Sequence, residues 1–302
     1  MLGSTQIKIA SAQYPIDQLQ SLADWERKVT QWVEKGAATG AQLLVFPEYA
    51  AIEQAGCFGV EISSNLKKTL DKVSELTTQR IHLHLRLARE FDVHILVGSG
   101  PSKKTDGRFV NSAQLVTPKG TLGEQEKIIM TPFEKDWGIS SGGPPRVFKT
   151  ELGHIGILIC YDSEFPLLAR AMTEAGAEII LVPSCTERIS GYHRVKTGCQ
   201  ARALENTIAV VQSPTVGDAL WSPAIDHNEG SAGIYLPSEH GVSDTGIIAE
   251  GKLNKAEWVV GTIDIKRLKE LRESGEMRNF MDWTSQPGST SLASKIEKVS
   301  LL

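Results

Sequence analysis

Short apolar stretches alternate with longer amphipathic stretches along most of the chain. The short stretches have the length and composition of buried strands, whereas the long ones repeat their apolar residues with the period of a helix. The predicted strands are "IKIASAQY", "QLLVFPEY", "VHILVGSG", "EIILVPS", "IAVVQSP", "SAGIYLP" and "WVVGTIDI". The predicted helices are "LQSLADWERKVTQWVEKGAATG", "SNLKKTLDKVSELTTQRIHLHLRLAREF", "PLLARAMTEAGA", "HRVKTGCQARALENT" and "KRLKELRESGE".

Turn signals add antiparallel strand pairs to this alternation. Asp106 and Gly107 in "KKTDGRF" form a typical hairpin turn between two strand-like segments, and Lys119 and Gly120 mark another turn after "NSAQLVTP". The stretch "PRVFKTELGHIGILICY" predicts a hairpin whose second strand reaches Cys160. Strand–helix alternation combined with hairpins predicts an α/β protein in which helices cover mixed sheets.

Composition narrows the classes of function. The chain has 302 residues, of which 41% are hydrophobic and 23% are charged, as in a soluble globular protein with a large core. Its formal net charge of -4 supplies no basic field for binding nucleic acid. No apolar stretch approaches the roughly 18 residues of a membrane span, and the N-terminus lacks the pattern of a secretory signal. We therefore expect neither a nucleic-acid nor a membrane partner.

Cysteine and histidine usage predicts neither a disulfide framework nor a metal site. The four cysteines show no CxxC spacing; they are Cys57, Cys160, Cys185 and Cys199. So few cysteines in a chain of this length predict a reducing, cytoplasmic location, which also keeps a catalytic thiol usable. His82 and His84 are close in sequence, but residues two apart on a helix do not share a face.

One reactive group, the thiol of Cys160, stands at the end of a predicted strand. Cys160 ends the apolar stretch "HIGILIC", and Pro166 suits the first turn of the helix that follows. A cysteine near a helix N-terminus has a stabilised thiolate, and the free N–H groups there can hold an oxyanion. The alternative is an inert cysteine that is simply buried in the core.

Two further groups have matching chemistry. Glu48 follows a buried stretch in "LLVFPEY", and a carboxylate in a partly apolar pocket can accept a thiol proton near neutral pH. Lys127 in "GEQEKIIMTPFE" is suited to stabilise an oxyanion, and Glu134 to pair with Lys127 or to orient a substrate amine. A solvated loop glutamate and an ordinary surface lysine are the alternatives on these segments.

The ordered set "FPEY", "EKIIMTPFE" and "ICYDSEFP" resembles the carbon–nitrogen hydrolase, or nitrilase, superfamily. The resemblance extends from "IKIASAQYP" to "WVVGTIDI" and includes "GAEIILVPS", "QARALENTIAVV" and "SDTGIIAEG". It implies a Glu–Lys–Cys triad in which Glu48 is the base, Lys127 the oxyanion stabiliser and Cys160 the nucleophile. Glu134 matches an additional glutamate found near the lysine in many members.

The resemblance also implies an architecture and an assembly. The fold implied is a four-layer α-β-β-α sandwich with two mixed β-sheets. Subunits that pair through their helical faces imply a homodimer or a larger homo-oligomer. We expect a carbon–nitrogen hydrolase domain over residues 1–280 and a C-terminal tail over residues 281–302, which is a candidate for a subunit interface.

The reaction implied is hydrolysis of a small amide or carbamoyl compound through a thioester, with no cofactor or metal. Tyr161 and Asp162 follow the cysteine where nitrilases proper often have Trp-Glu, which favours the amidase-like branch. Further candidates for the substrate pocket are Tyr49, Tyr161, Cys185, Thr186 and His193. The alternatives are a nitrilase, a Cys–His hydrolase that uses His154 or His193, and a non-catalytic relative that binds a small amide.

Overall fold

Two mixed β-sheets form the centre of the computed structural model, which describes residues 6–286. The first sheet contains β1 (Gln6–Pro15), β2 (Leu43–Val45), β3 (His94–Lys103), β4 (Phe109–Val116), β5 (Leu122–Glu126) and β13 (Glu257–Asp264). The second contains β6 (Val147–Thr150), β7 (Gly153–Ile157), β8 (Ile179–Ser184), β9 (Ala209–Asp218), β11 (Gly233–Tyr235) and β12 (Ile247–Glu250). The short strand β10 (His227–Asn228) pairs with the end of β9.

The two sheets have the same kind of strand order. The first runs β13-β1-β2-β3-β4-β5, with β1, β2 and β3 parallel. The second runs β12-β11-β9-β8-β7-β6, with β9, β8 and β7 parallel. Tyr14 and Pro15 of β1 pair in parallel with Thr215 and Val216 of β9. The carboxyl ends of both parallel triplets therefore lie at the same end of the molecule, where sites form in α/β sheets.

Helices cover the outer faces of both sheets. They are α1 (Leu22–Ala38), α2 (Val60–Ser63), α3 (Leu66–Glu75), α4 (Thr77–Phe91), α5 (Pro132–Asp136), α6 (Pro166–Glu174), α7 (Ile189–Asn206) and α8 (Ile265–Ser274), with 3₁₀ turns at Ala50–Phe58, Cys160–Glu164 and Asp282–Ser285. None of the helices within residues 6–286 combines the length and the apolar character required to cross a bilayer.

The alternation of side chains along β1 explains the layers. Ile7 and Ile9 pack with residues of the second sheet in the core between the sheets. Ala12 and Tyr14 point the other way and pack with Trp25 of α1. Helices α6 and α7 cover the outer face of the second sheet. The predicted α-β-β-α sandwich with mixed sheets is thus confirmed.

Some local predictions are confirmed by the structure, and others differ from it. The turn at Asp106 and Gly107 and the β6–β7 hairpin are confirmed, although β7 ends at Ile157 and does not reach Cys160. The long helix predicted over "SNLKKTLDKVSELTTQRIHLHLRLAREF" is wrong, because the chain breaks at Leu76 into α3 and α4. Helix α3 packs on β3, whereas α4 also packs on α1, and one straight helix does not reach both surfaces. Strand β5 was not predicted because its "LGEQE" sequence is polar.

The predicted C-terminal tail falls mostly outside the described residues. Only residues 281–286 of the tail are described, and residues 287–302 lie beyond them. Arg170 of α6 stacks over the rings of Phe280 and Trp283, at 4.2 and 4.9 Å from their centroids. The boundary at residue 280 and a role of the tail at a subunit interface stay predictions.

Candidate active site

Glu48 lies in the loop that follows β2, and it is 1% exposed. Its Oε1 accepts hydrogen bonds from Lys127 Nζ at 2.7 Å and from Asn111 Nδ2 at 3.0 Å. Its Oε2 accepts one from the backbone N–H of Cys185 at 3.0 Å. Gly98 of β3 gives the loop room, since a Cβ there would stand 2.3 Å from the carbonyl oxygen of the residue before Glu48. The carboxylate is therefore held by donors on both oxygens.

Lys127 follows β5 directly and is also 1% exposed. Its Nζ lies 2.7 Å from Glu134 Oε2, the same distance as from Glu48. Glu134 is the N3 residue of α5 and forms a capping box with Thr131, whose N–H and hydroxyl both donate to Oε2 at 3.0 Å. The short helix thus fixes the second carboxylate against the ammonium.

Cys160 begins the 3₁₀ turn Cys160–Glu164 and has a backbone φ of 49°. A non-glycine residue in this left-handed region is strained and is held there by its surroundings. Cys160 is 6% exposed, and its Sγ lies 3.9 Å from the carbonyl oxygen of Cys185, whose N–H donates to Glu48. Pro166 begins α6 as predicted, although the 3₁₀ turn separates it from Cys160.

Asp162 connects the cysteine turn to the lysine segment. Its carboxylate accepts hydrogen bonds from the backbone N–H groups of Ile128, Ile129 and Ile159. Burial raises the pKa of Asp162 to about 6, and those N–H groups oppose the rise. This side chain positions two segments of the site rather than facing the thiol.

The charges of the cluster set its protonation. Burial raises the pKa of Glu48 to about 7; the charge of Glu134 adds to the rise, and Lys127 opposes it. Burial and the charge of Glu48 also raise the pKa of the Cys160 thiol well above its usual range. Burial alone would lower the pKa of Lys127, but the two carboxylates outweigh it and raise that pKa. The expectation of a stabilised Cys160 thiolate is therefore wrong for the free protein, because burial and a neighbouring carboxylate outweigh the helix terminus.

The other predicted pocket residues differ in their distance from this cluster. The hydroxyl of Tyr49, which is buried, donates to Glu134 Oε1 at 2.7 Å. Cys185 contacts Glu48 through its backbone, and the neighbouring Thr186 donates to the carbonyl of Glu229 at 2.7 Å.

The side chains of two other predicted pocket residues contact aromatic rings outside the cluster. Tyr161 is half-buried beside the cysteine, and its ring stacks edge-on against Phe165 with centroids 4.9 Å apart. His193 is exposed on α7, where its ring packs 4.9 Å from that of Tyr192. The structure does not bring the His193 side chain into the cluster of Glu48, Lys127 and Cys160.

Sequence reasoning missed Asn111, which lies in β4 and contacts both carboxylates. Its Nδ2 is 3.0 Å from Glu48 Oε1 and 3.1 Å from Glu134 Oε1. The alternation in "NSAQL" offered a signal, because it puts Asn111 on the same face as Ala113 and Leu115. A polar residue on an otherwise apolar face marks a position with a special partner.

A buried thiol, a carboxylate with a pKa near neutrality and a fixed ammonium form a set that suits acyl transfer. The carboxylate can take the thiol proton, and the ammonium can stabilise charge on a carbonyl oxygen. Glu48 and Cys160 follow strands of the two parallel triplets. Lys127 follows β5, which runs in the same direction as β3 because both are antiparallel to β4, so all three residues lie at one end of the sandwich.

Comparisons with known proteins identify the family of the chain. The family model described as carbon-nitrogen hydrolase matches residues 8–273. "Probable hydrolase YhcX" of Bacillus subtilis (strain 168) is 36% identical over 277 residues, which cover 91% of this chain. This chain spans about half the length of that relative, since the match covers 53% of it.

Two further comparisons concern a more distant relative and the fold. "Deaminated glutathione amidase" of Synechocystis sp. is 25% identical over 260 residues, which cover 82% of this chain and 88% of that protein. The crystal structure of a carbon-nitrogen hydrolase from Helicobacter pylori G27 has the same fold, with a TM-score of 0.75 at 19% identity. That superposition covers 97% of this chain and 99% of the other. The chain therefore belongs to the carbon–nitrogen hydrolase family and is a hydrolase, as its motifs predict.

Proposed function

We propose that the protein hydrolyses a small amide or carbamoyl compound to a carboxylic acid and ammonia or an amine, through a thioester on Cys160. One observation carries the proposal: the Glu48 carboxylate lies 2.7 Å from Lys127 Nζ and is close enough to the Cys160 thiol for its charge to raise the pKa of that thiol. A base placed near both the nucleophile and the ammonium can act on a carbonyl bound between them.

Glu48 has one oxygen suited to each partner. Oε1 already accepts from Lys127 and Asn111, whereas Oε2 accepts only the Cys185 N–H among residues 6–286. Oε2 thus has a lone pair for the thiol proton. As the sulfur attacks the carbonyl carbon, the S–C bond forms, the C=O π electrons move to oxygen and the proton passes to Glu48.

The oxyanion meets two donors in this proposal. An ammonium has three hydrogens, and two of those on Lys127 point to Glu48 and Glu134. The third is free for the oxyanion within the described part of the chain. The backbone N–H of Tyr161 has no acceptor among residues 6–286 and is the second donor. Two such donors stabilise a tetrahedral intermediate more than a bound substrate.

The tetrahedral intermediate collapses at the end of the first half-reaction, and a water molecule completes the second. Glu48 gives its proton to the departing nitrogen, the C–N bond breaks and a Cys160 thioester remains. Glu48 then takes a proton from water, whose oxygen attacks the thioester carbon. The C–S bond breaks, and Glu48 returns the proton to the sulfur. Every proton passes through Glu48, so each half-reaction ends with the base ready for the next.

The preference for an amide rests on two supports. Tyr161 and Asp162 follow the cysteine instead of the Trp-Glu pair of nitrilases proper. The relative from Synechocystis sp. is named an amidase.

A screen for ammonia release tests this function. The substrates are short aliphatic amides, dicarboxylate monoamides, N-carbamoyl amino acids and nitriles. We expect turnover of at least one amide or carbamoyl compound, nearly complete loss in Cys160→Ala, and retained turnover in the control Cys57→Ala. Turnover of nitriles alone would contradict the substrate class. Loss of turnover in a His154→Ala, His193→Ala double variant with retention in Glu48→Gln would favour the Cys–His mechanism.

The selectivity of cysteine alkylation distinguishes an enzyme from a protein that only binds its ligand. Iodoacetamide carries a primary amide and so resembles the substrate class. We expect selective alkylation of Cys160 over the other three cysteines, measured by intact mass and peptide mapping. Slow, equal alkylation of all four would favour a protein that only binds a small amide.

We also propose a homodimer or a larger homo-oligomer paired through the helical layers. Leu167 of α6 and Leu204 of α7 are exposed apolar residues on one such layer, 69% and 43% accessible in the single chain. Sedimentation analysis of the wild type and of a Leu167→Glu variant tests this proposal. A monomeric wild type would contradict it.

A further inference from the structure

Asn111 contacts three parts of the buried cluster. Its Nδ2 lies 3.0 Å from Glu48 Oε1 and 3.1 Å from Glu134 Oε1. A primary amide nitrogen carries two hydrogens, so one is available for each carboxylate. Its backbone carbonyl accepts a hydrogen bond from the N–H of Lys127 at 2.8 Å. One residue of β4 therefore connects the base, the second glutamate and the backbone of the lysine.

The position of Asn111 suits an apolar side chain better than an amide. Ala113 and Leu115, at alternate positions of β4, pack in the core between the sheets. Asn111 is fully buried, and its Oδ1 has no hydrogen-bond partner within residues 6–286. An unpartnered buried oxygen costs stability. The contacts that offset this cost are those of Nδ2 to Glu48 and Glu134.

The charge balance of the cluster explains what a neutral donor contributes. Lys127 is a single cation between two carboxylates that repel each other. A donated hydrogen bond favours the charged form of a carboxylate, and an amide does not titrate. The titratable groups that act on Glu48 or are acted on by it are Lys127, Glu134, Cys160, Cys185 and Tyr49. Asn111 is an uncharged donor that the two carboxylates share, and it offsets the repulsion between them by donating to Oε1 of each.

We infer that Asn111 is a positioning residue, which turns Glu48 towards the Cys160 thiol and holds both carboxylates against Lys127. This inference rests on the proposed function, in which Glu48 takes the thiol proton. Because Asn111 binds Oε1 of Glu48, it leaves Oε2 for that proton. Removal of the amide is therefore expected to affect proton transfer and not substrate affinity.

Asn111→Leu and Gln114→Leu form a matched pair of variants. Gln114 is also buried in β4, donates through its side-chain amide to Ser112 Oγ at 2.9 Å and has an unpartnered Oε1 within the described chain. Each variant places leucine in the same strand and removes an amide. Only Asn111→Leu removes hydrogen bonds to the cluster. Asn111→Asp is an additional variant that keeps the volume and loses the amide donors.

Steady-state kinetics against pH give the first readout. With an amide that the screen identifies, Asn111→Leu is expected to lower kcat about 10–100-fold and to change KM less than about twofold. The acid limb of kcat/KM is expected to move to higher pH, since Glu48 loses a donor that favours its charged form. Asn111→Asp is expected to change in the same direction, and Gln114→Leu to match the wild type. An unchanged kcat and acid limb in folded Asn111→Leu, or equal losses in Gln114→Leu, would overturn the inference.

Alkylation of Cys160 by iodoacetamide against pH gives a readout without turnover. If the wild type turns over no amide, but Asn111→Leu still moves the midpoint of alkylation to higher pH, the proposed function fails and the positioning role stands. If the wild type hydrolyses amides and neither readout changes in Asn111→Leu, the positioning role fails alone. Where Asn111→Leu does not fold by circular dichroism, the same criteria apply to Asn111→Asp.

Discussion

Glu48 Oε1 and Lys127 Nζ lie 2.7 Å apart, and each of the two residues is only 1% exposed. A buried ion pair is favourable only when further hydrogen bonds satisfy both charges. Asn111 and the N–H of Cys185 donate them to Glu48, and Lys127 donates one to Glu134. The protein thus holds charged groups in fixed positions where water would otherwise have to reorganise during the reaction.

Replacement of Lys127 tests the role of the ammonium. We expect Lys127→Met to lower kcat by at least about 10²–10³-fold, because it removes an oxyanion donor and leaves Glu48 and Glu134 without their cation. The assay is ammonia release, with circular dichroism to confirm folding. Lys119→Met is the control, because Lys119 is an exposed lysine that pairs with Glu151 on the surface. Activity of Lys127→Met within tenfold of the wild type would contradict the assigned role.

The pH dependence of kcat/KM follows from the pKa of Glu48. Glu48 must be ionised to take the thiol proton, and burial raises its pKa to about 7. The rate is therefore expected to rise with pH up to about 7 and to level off above it. Glu134→Gln removes a charge that raises this pKa, so the limb is expected to move to lower pH. An acid limb of the wild type with its midpoint in the ordinary carboxyl range would speak against Glu48 as the base. So would a shift of the limb to higher pH in Glu134→Gln.

Gly98→Ala tests whether the loop that carries Glu48 depends on close backbone packing. Gly98 and Gly107 both have a φ of 85°, but only at Gly98 would a Cβ meet another atom, the carbonyl oxygen of Pro47 at 2.3 Å. Gly107→Ala is therefore the control, and it is expected to lose about 1 kcal/mol of stability from backbone strain. Gly98→Ala is expected to lose more, and also to lower kcat/KM, because Pro47 precedes Glu48. Urea unfolding and kinetics measure both effects, and equal behaviour of the two variants would refute the prediction.

The buried ring of His84 is expected to make the free energy of unfolding fall in mild acid. Its ring is buried against Phe46, and burial lowers its pKa to about 4 from the ordinary 6.5. The unfolded chain therefore binds a proton that the folded protein excludes. The free energy of unfolding consequently falls as the pH drops from 6.5 to about 4, and this group accounts for up to about 3 kcal/mol of the fall. Urea unfolding at several pH values is the measurement. The fall is expected to shrink in His84→Leu and to persist in His82→Gln, on the solvent side of the same helix.

Much of the fold could be predicted from local patterns, because apolar residues repeat with different periods in strands and in helices that have one buried face. The hairpin at Asp106 and Gly107 and the start of α6 at Pro166 follow from backbone preferences of single residues. The break at Leu76 did not follow, since the amphipathic pattern continues through it. Tertiary packing of α3 and α4 on different neighbours decides that break.

The residues of the candidate site were predicted from the sequence, but the contacts that hold them together were not. Glu48, Lys127 and Cys160 are distinguished by their strand ends and by the family resemblance. The contacts of Asn111 and of the Cys185 backbone depend on loops that meet only in the folded sheets. The state of the thiol was predicted wrongly, because a sequence does not reveal that burial and Glu48 outweigh the turn that follows Cys160.

The most direct test of the central claim is to trap the acyl group on the protein. A hydrolysed amide is mixed with the wild type, quenched in acid within the first turnover and analysed by intact mass and peptide mapping. The account predicts one added acyl group, on the peptide that contains Cys160, and none in Cys160→Ala. Steady turnover without an adduct, an adduct on another cysteine, or retained turnover in Cys160→Ala would contradict it.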